Sequence, residues 1–229
     1  MVRNSITVLQ HNLQHCVGAT EGLIRDLYDK RGPFVCLLQE PYLFNKGIKL
    51  FPRGIHVCQG LTDRGPRACI LSSVDMGLSL VPQYSGWDIT TCRWEDKLNH
   101  REVYFVSVYS DIELLSINPE LMRLVDYANN KSIEVVIGID SNAHSTMWGC
   151  ETNNQRGDMF EDFMVSNMLT LQNIGSNWTF ESTLGKSIID ITLMTLGVAG
   201  RINSWWVNTD WLNSDHKRLE WEMKCSPPP

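Results

Sequence analysis

Along this sequence, apolar runs repeatedly end on a polar side chain able to do chemistry. SITVLQHN ends on Asn12, FVCLLQE on Glu40, VYFVSVY on Tyr109 and VVIGIDSN on Asp140 and Asn142, while SIIDITL carries Asp190 inside the run itself. The Asp215–His216 pair of the SDH motif stands just before the last apolar stretch, LEWEMK. Taken singly, these have plain structural readings: Asp140 and Asn142 can close an Asx turn, Glu40 can be a solvated residue ahead of Pro41, and His216 can be a hydrogen-bonded surface histidine. Asp190 resists that reading. An acid flanked by Ile188, Ile189, Ile191 and Leu193 is partly buried, buried carboxylates are normally paired, and His216 is an available partner.

Taken together, the set suits phosphoryl chemistry. A hard divalent cation such as Mg²⁺, with Mn²⁺ as a substitute, takes carboxylate oxygens and keeps several waters, so one or two acids at strand ends suffice, Glu40 first among them. A phosphodiester transition state also needs donors for its oxygens, a positioned water and charge neutralisation at the leaving oxygen. Asn12, Asn142, Tyr109, His216 and the metal can supply these. Other chemistries lack their parts: the chain has no G-x-S-x-G elbow, no G-x-x-x-x-G-K-S phosphate loop and no H-E-x-x-H zinc helix.

The elements that must position these residues are mostly strands. SITVLQHNL, PFVCLLQE, RACILSS, WDITTCRW, REVYFVSVYS, EVVIGID, SIIDITLMT and LEWEMK are rich in β-branched and aromatic residues. Helical spacing appears between some of them. In TEGLIRDLYDKRGP, Thr20 is expected to cap a helix with Leu23, Ile24, Leu27 and Tyr28 on one face, stopped by Gly32–Pro33. NPELMRLVDYANN places Pro119 at a helix start with Leu121, Leu124, Val125 and Ala128 together, and RGDMFEDFMVSNM spaces Met159, Phe160, Phe163 and Met164 in the same way. Few helices among many strands predict an α/β domain of two packed sheets with helices outside.

The composition, 43% hydrophobic and 20% charged over 229 residues, allows one large core. No apolar run approaches the roughly 18 residues of a membrane span, and MVRNSITVLQHN lacks the apolar segment of a signal peptide, so no membrane partner and an intracellular setting are expected. Seven cysteines without a C-x-x-C pair read as buried free thiols, not as disulfides or a zinc site. A net charge of −6 disfavours a broad basic surface for nucleic acid. Residues 1–226 read as one domain, with Pro227–Pro229 a tail or the start of a connection onward.

QHN, LLQEP, SVYS, DSNAH, WTF, SIID and SDH occur here in the order and spacing of the endonuclease/exonuclease/phosphatase superfamily. Within it the sequence most resembles the apurinic-endonuclease-like domain of non-LTR retrotransposons, through NAH followed by Trp148–Gly149, through Arg156–Gly157 opening a helix, and through the segment from Thr179–Phe180 to Asp190. The resemblance implies a four-layered α/β/β/α sandwich of two mostly antiparallel sheets. It implies that Glu40 is the principal metal ligand with Asn12 and Asp215 beside it, that Asp140 orients or deprotonates the attacking water, and that Asn142 holds a phosphate oxygen. Tyr109 would lie beside the scissile phosphate, and His216, oriented by Asp190, would donate to that phosphate or assist proton transfer. The implied activity is nicking of double-stranded DNA to leave a 3′-hydroxyl, which primes a reverse transcriptase region of the same polyprotein in the nucleus.

Target choice must come from outside the catalytic set, because phosphate contacts carry no sequence information directly. ESTLGK is expected to form a hairpin beside Asp190, where Lys186 meets a phosphate and Thr183 and Leu184 probe the groove. The loop carrying His144 and Trp148 is a second candidate, its tryptophan either stacking or anchoring. Three departures from the family pattern stand out. The usual G-D-F-N becomes Gly138-Ile139-Asp140-Ser141-Asn142; Ser110 and Asp111 follow Tyr109 where x-Pro is usual, so the loop there is expected to take another path; and the net acidity places tight DNA binding elsewhere in the polyprotein. Alternatives are an abasic-site repair endonuclease on the same residues and a non-catalytic DNA-binding module. A phosphatase of inositol phosphates or a sphingomyelinase would want basic headgroup contacts or apolar membrane loops.

Overall fold

The computed structural model describes residues 5–29, 32–49, 51–96 and 101–225; the Pro227–Pro229 tail lies outside the described residues. β1 (Ser5–Asn12) leads into α1 (Val17–Asp29) and back to β2 (Phe34–Gln39). A short hairpin, β3 (Leu43–Phe44) and β4 (Gly47–Ile48), precedes β5 (Ile55–Gln59), β6 (Ala68–Ser73), β7 (Ser79–Leu80), β8 (Ile89–Asp96) and β9 (Arg101–Tyr109). Then come α2 (Pro119–Lys131), β10 (Glu134–Asp140), α3 (Gln155–Ser166) and β11 (Leu169–Leu171). A second hairpin, β12 (Phe180–Ser182) and β13 (Gly185–Ser187), is followed by β14 (Asp190–Thr195), the short α4 (Leu196–Ala199), β15 (Ile202–Asn208) and β16 (Arg218–Lys224).

The strands form two six-stranded sheets, ordered β15-β16-β1-β2-β6-β5 and β11-β14-β10-β9-β8-β7. Each is antiparallel apart from one central parallel pair, β1 with β2 and β9 with β10. Alternation along the strands makes the layers. Ile6 and Val8 of β1, with Val35, Leu37, Ile70, Phe105, Val136, Leu219 and Trp221, fill the space between the sheets. Leu9, Cys36 and Leu38 point the other way and pack under α1. Val106, Val108, Ile137, Ile139 and Ile191 pack on the far side under α2 and α3. The result is the four-layered sandwich, each fully buried aliphatic side chain contributing about 1.5–3 kcal/mol. None of the seven cysteines forms a disulfide. Among the described residues no helix is long and apolar enough to cross a membrane.

Two helices follow the sequence closely. Asn118 caps α2 by accepting from Glu120 and Leu121, Pro119 takes the first turn, and Leu121, Leu124, Val125 and Ala128 are buried. In α3, Asn154 caps and Phe160, Phe163 and Met164 are buried. The first helix differs. It begins at Val17, so Thr20 lies inside it, its hydroxyl donating back to the Cys16 carbonyl at 2.9 Å; it is not the cap. Tyr28 is exposed while Leu23 and Leu27 are buried.

Because β1, β2, β9 and β10 all run the same way within their parallel pairs, their C-terminal ends arrive side by side. Asn12 is register-paired with Gln39, and Asp140 with both Tyr109 and Asp190. The polar strand ends noted in the sequence therefore meet at one end of the sandwich.

Candidate active site

The core beneath this end is sealed by a polar seam between the sheets. The Gln10 amide donates to the carbonyls of Ile139 and Ile191 and accepts from Thr192, and Gln39 donates to Ser107 and to the Gly138 carbonyl. Both glutamines are fully buried, so these bonds fix the sheets' relative position. Gly138 belongs to this seam: a Cβ there would lie 2.9 Å from Gln10 Oε1.

Above the seam stands a buried cluster of Asp140, Asp190 and His216. Asp190 Oδ2 accepts from His216 Nδ1 at 2.9 Å, and the Thr179 hydroxyl oxygen accepts from the backbone N–H of Ile189 and Asp190, locking the acid where the sequence embeds it. Burial alone would lower the His216 pKa; the negative charge of Asp190, with Asp140 and Glu40 behind it, outweighs burial and raises it to about 9. The imidazole is thus a cation at neutral pH, with Nε2 left to donate. Phe180 packs edge-on against the ring at 4.9 Å.

Asp140 is held on one side only. Its Oδ2 accepts from Asn12 Nδ2 at 2.8 Å, while its Oδ1 is buried without a partner. Burial, together with Asp190 and Glu40, pushes its pKa up to about 7 against the pull of His216 and Asn12. A carboxylate poised there and open at one oxygen suits a general base. Asn12 also accepts from the Gln14 N–H at 2.8 Å, which fixes the amide that donates to Asp140.

Glu40 emerges in a left-handed conformation, φ 45°, its N–H donating to the Arg67 carbonyl and its own carbonyl accepting from His15. Gln14, His15 and Asn142 are left-handed as well. Such strain in non-glycine residues persists only where the surroundings over-determine it, and it gathers at functional sites. The Glu40 carboxylate lies 3.6 Å from His15 Nε2. Gln14 Oε1 accepts from the Asp215 N–H at 2.8 Å, which ties the SDH loop to the end of β1 and brings Asp215 to the same end. Among the described residues the ligand atoms that lie together are those of Asp140, Asp190 and His216, and Glu40, Asp215, Asn12 and the unpartnered Asp140 Oδ1 at this end add oxygens of the kind a hard divalent cation takes.

Tyr109 and the loop after it are gripped by two arginines: Arg67, which carries no signal in the sequence, and Arg156, which the sequence marks only as the start of a helix. Arg67 lies 4.6 Å from the Tyr109 ring and 3.9 Å from Trp87, with Asp88 bonded in a fork and Asp111 at 2.8 Å. Arg156 donates to the Ser110 hydroxyl and the Ile112 carbonyl. The loop without its usual proline is held by the Arg67–Asp111 ion pair and the two Arg156 hydrogen bonds instead. Burial, reinforced by the negative Glu40 and Asp140, pushes the Tyr109 pKa up to about 12, so the phenol stays protonated. One Asn142 N–H donates to the Ser110 carbonyl at 3.0 Å, leaving the second for a ligand.

Of the proposed DNA contacts, Thr183, Leu184 and Lys186 sit on the exposed second hairpin, Leu184 at 97% exposure, with Lys186 paired to Glu181 at 2.7 Å. His144 is exposed and lines a groove of about 610 Å³ beside His216, shared with Ile112, Asn142, Phe180 and Ile189. Trp148 is different. It is 2% exposed and donates to the Ile188 carbonyl, so it anchors its loop and cannot stack on a base. A larger cavity of about 980 Å³, lined by Ile6, Asp75, Trp94 and Cys225, opens at the other end of the sandwich, away from this chemistry.

Arg156–Gly157 opens α3 where a Cβ on Gly157 would collide with the His144 carbonyl. Gly157→Ala should cost about 1–3 kcal/mol in urea unfolding and loosen the Asn142 loop. An unchanged unfolding midpoint would show that the loop yields freely.

Comparison of the sequence with curated proteins finds no match. Among solved structures, the endonuclease domain of TRAS1, a telomere-specific non-LTR retrotransposon, is similar over 96% of this chain and 99% of its own, at 26% identity and TM-score 0.80. The AP endonuclease LMAP from Leishmania major shares the fold at 11% identity and TM-score 0.75, over 96% of this chain and 88% of its own. A 3′-5′ exonuclease (NExo) from Neisseria meningitidis does so at 15% and 0.64, over 96% and 99%. The profile of the endonuclease-reverse transcriptase family matches residues 103–220, from β9 through His216 to β16. With more than half its length matched and the acid–imidazole cluster in place, the chain belongs to the endonuclease-reverse transcriptase family.

Proposed function

We propose that this DNA endonuclease domain hydrolyses one phosphodiester of double-stranded DNA with the help of Mg²⁺, or Mn²⁺ in its place, and leaves a 3′-hydroxyl. The observation that carries this reading is the Asp140–Asp190–His216 cluster with Asn12 and Glu40 around it. A cation held by Glu40, with Asp215 and Asn12 beside it, supplies charge neutralisation at the phosphate and the departing oxygen. Asp140, open at Oδ1, orients a water and takes its proton as the water oxygen bonds to phosphorus. Protonated His216 and the second Asn142 N–H donate to the non-bridging oxygens, and the Tyr109 hydroxyl lies beside them. The phosphorus–O3′ bond breaks, the departing 3′-oxygen takes a proton from solvent water and ends as a hydroxyl, and the phosphate stays on the 5′ side.

The TRAS1 likeness supports a retrotransposon setting, in which this hydroxyl primes a reverse transcriptase region of the same polyprotein on nuclear DNA. The test is a supercoiled plasmid with Mg²⁺, with Mn²⁺ and with EDTA, followed by polymerase extension from the nicks without prior end repair. Extendable nicks that vanish in EDTA are expected. Nicks that block extension, or that persist in EDTA, would refute the reading. An oligonucleotide duplex with and without an abasic site, run in parallel, separates nicking of intact DNA from an abasic-site repair activity.

A further inference from the structure

We infer that Trp211 is a DNA-contacting residue that grips the duplex beside the cut, a contact resting on the nuclease reading above. Trp211 is 64% exposed on the loop that joins β15 to β16 immediately before the SDH motif. The loop is no loose excursion. The Asp210 N–H is bonded to Asn208 Oδ1 at 2.9 Å, Asn213 is left-handed, and the Ser214 hydroxyl donates to the Asn12 carbonyl at 2.8 Å. The ring is further held by Lys217, whose Nζ lies 5.7 Å from its centroid.

Lys217 follows the catalytic His216 directly, and its backbone N–H donates to the Thr179 carbonyl at 2.6 Å. Its Nζ is 3.8 Å from Glu181 Oε2, and Glu181 Oε1 is 2.7 Å from Lys186. A continuous path, Trp211 to Lys217 to Glu181 to Lys186, therefore runs from the loop past His216 to the second hairpin. Its two ends carry Trp211 and Leu184, both large apolar side chains facing solvent.

Singly exposed apolar residues need no explanation, but two on one connected rim next to a phosphodiester-cutting imidazole do. A strand whose phosphate reaches His216 must carry its neighbouring nucleotides over this rim. An aromatic face there can stack on a base or on an opened base step, and apolar side chains wedge into duplexes in the same way. Lys186, half exposed, is placed to exchange Glu181 for a phosphate. The loop thus gives the hairpin a partner joined to it through Lys217, the residue after His216.

The test measures duplex affinity in EDTA, so that nothing is cut, for wild type, Trp211→Ala and Trp211→Phe, and then sequences the Mg²⁺-dependent nicks of each on a long duplex. Trp211→Ala should bind roughly tenfold more weakly, raise KM more than it lowers kcat and broaden the choice of nick sites, while Trp211→Phe retains most of the affinity. Wild-type affinity and an unchanged nick pattern in Trp211→Ala would overturn the inference and leave nicking itself intact. A wild-type protein that neither binds nor nicks duplex would overturn the nuclease reading as well.

Discussion

Glu40→Ala should lower Mg²⁺-dependent nicking about a thousandfold or more, equivalent to about 4 kcal/mol of transition-state stabilisation, with little change in thermal midpoint. The reason is electrostatic. Glu40, Asp140, Asp190 and Asp215 lie at one end of a chain whose net charge is already −6, so a phosphodiester entering without a cation meets acidic groups that outnumber His216 and Arg156. Glu40 is the acid best placed to bring that cation in, because its carboxylate is one-fifth exposed and its main interaction is a 3.6 Å approach to His15. Folding depends on it little: its backbone bonds to Arg67 and His15 survive the substitution, and the left-handed φ is no worse for alanine than for glutamate. Glu40→Gln, which keeps the shape and removes the charge, should show nearly the same loss. Mn²⁺ binding followed by electron paramagnetic resonance gives a readout independent of turnover and should weaken in both variants. Full activity in either variant would remove Glu40 from the metal site.

What could be read from the sequence was whatever local chemistry makes conspicuous. An acid inside SIIDITL is costly unless paired, which calls for a partner and makes His216 an available one, the pairing the structure shows. The Asn118–Pro119 start of α2 and the apolar spacing of α2 and α3 were equally plain, because capping and periodicity are properties of neighbouring residues. The rest depended on tertiary contacts. Gln10 and Gln39 look like surface residues in the sequence and are fully buried, since their partners come from strands more than sixty residues away. The left-handed Glu40 and Asn142 carry no signal, because neither is glycine. Arg67 gives no hint of itself until Trp87, Asp88, Tyr109 and Asp111 are brought around it. β15 was overlooked although Trp205 and Val207 are buried between exposed neighbours, as expected of an edge strand with an irregularity at Ile202–Ser204. Trp148 shows the opposite failure: a tryptophan in a polar loop reads equally as a contact or an anchor, and only its bond to Ile188 decides.

Asp190→Asn and His216→Ala should each lower the rate by on the order of 10²–10³, with the double variant little worse than the poorer single one, because a donor and the carboxylate that orients and charges it act as one unit. The pH profile separates this from mere damage. In the proposed mechanism nicking needs Asp140 ionised, and its carboxyl is pushed up to about 7 by burial and its acidic neighbours, so the rate should climb as pH rises through that value. It also needs His216 protonated. Against burial, which works the other way, Asp190 above all raises that group to about 9, so the rate should fall as pH passes it. A bound cation lowers both limbs, which makes the displacement between proteins the diagnostic quantity. In Asp190→Asn the neutral amide no longer favours imidazolium, so the falling limb should move to lower pH, toward the 6.5 of free histidine, while the rising limb also shifts down because Asp140 loses a negative neighbour. His216→Ala should have no falling limb from this group at all. A profile in Asp190→Asn that coincides with wild type apart from its height, or losses that multiply in the double variant, would show that the two residues do not act together.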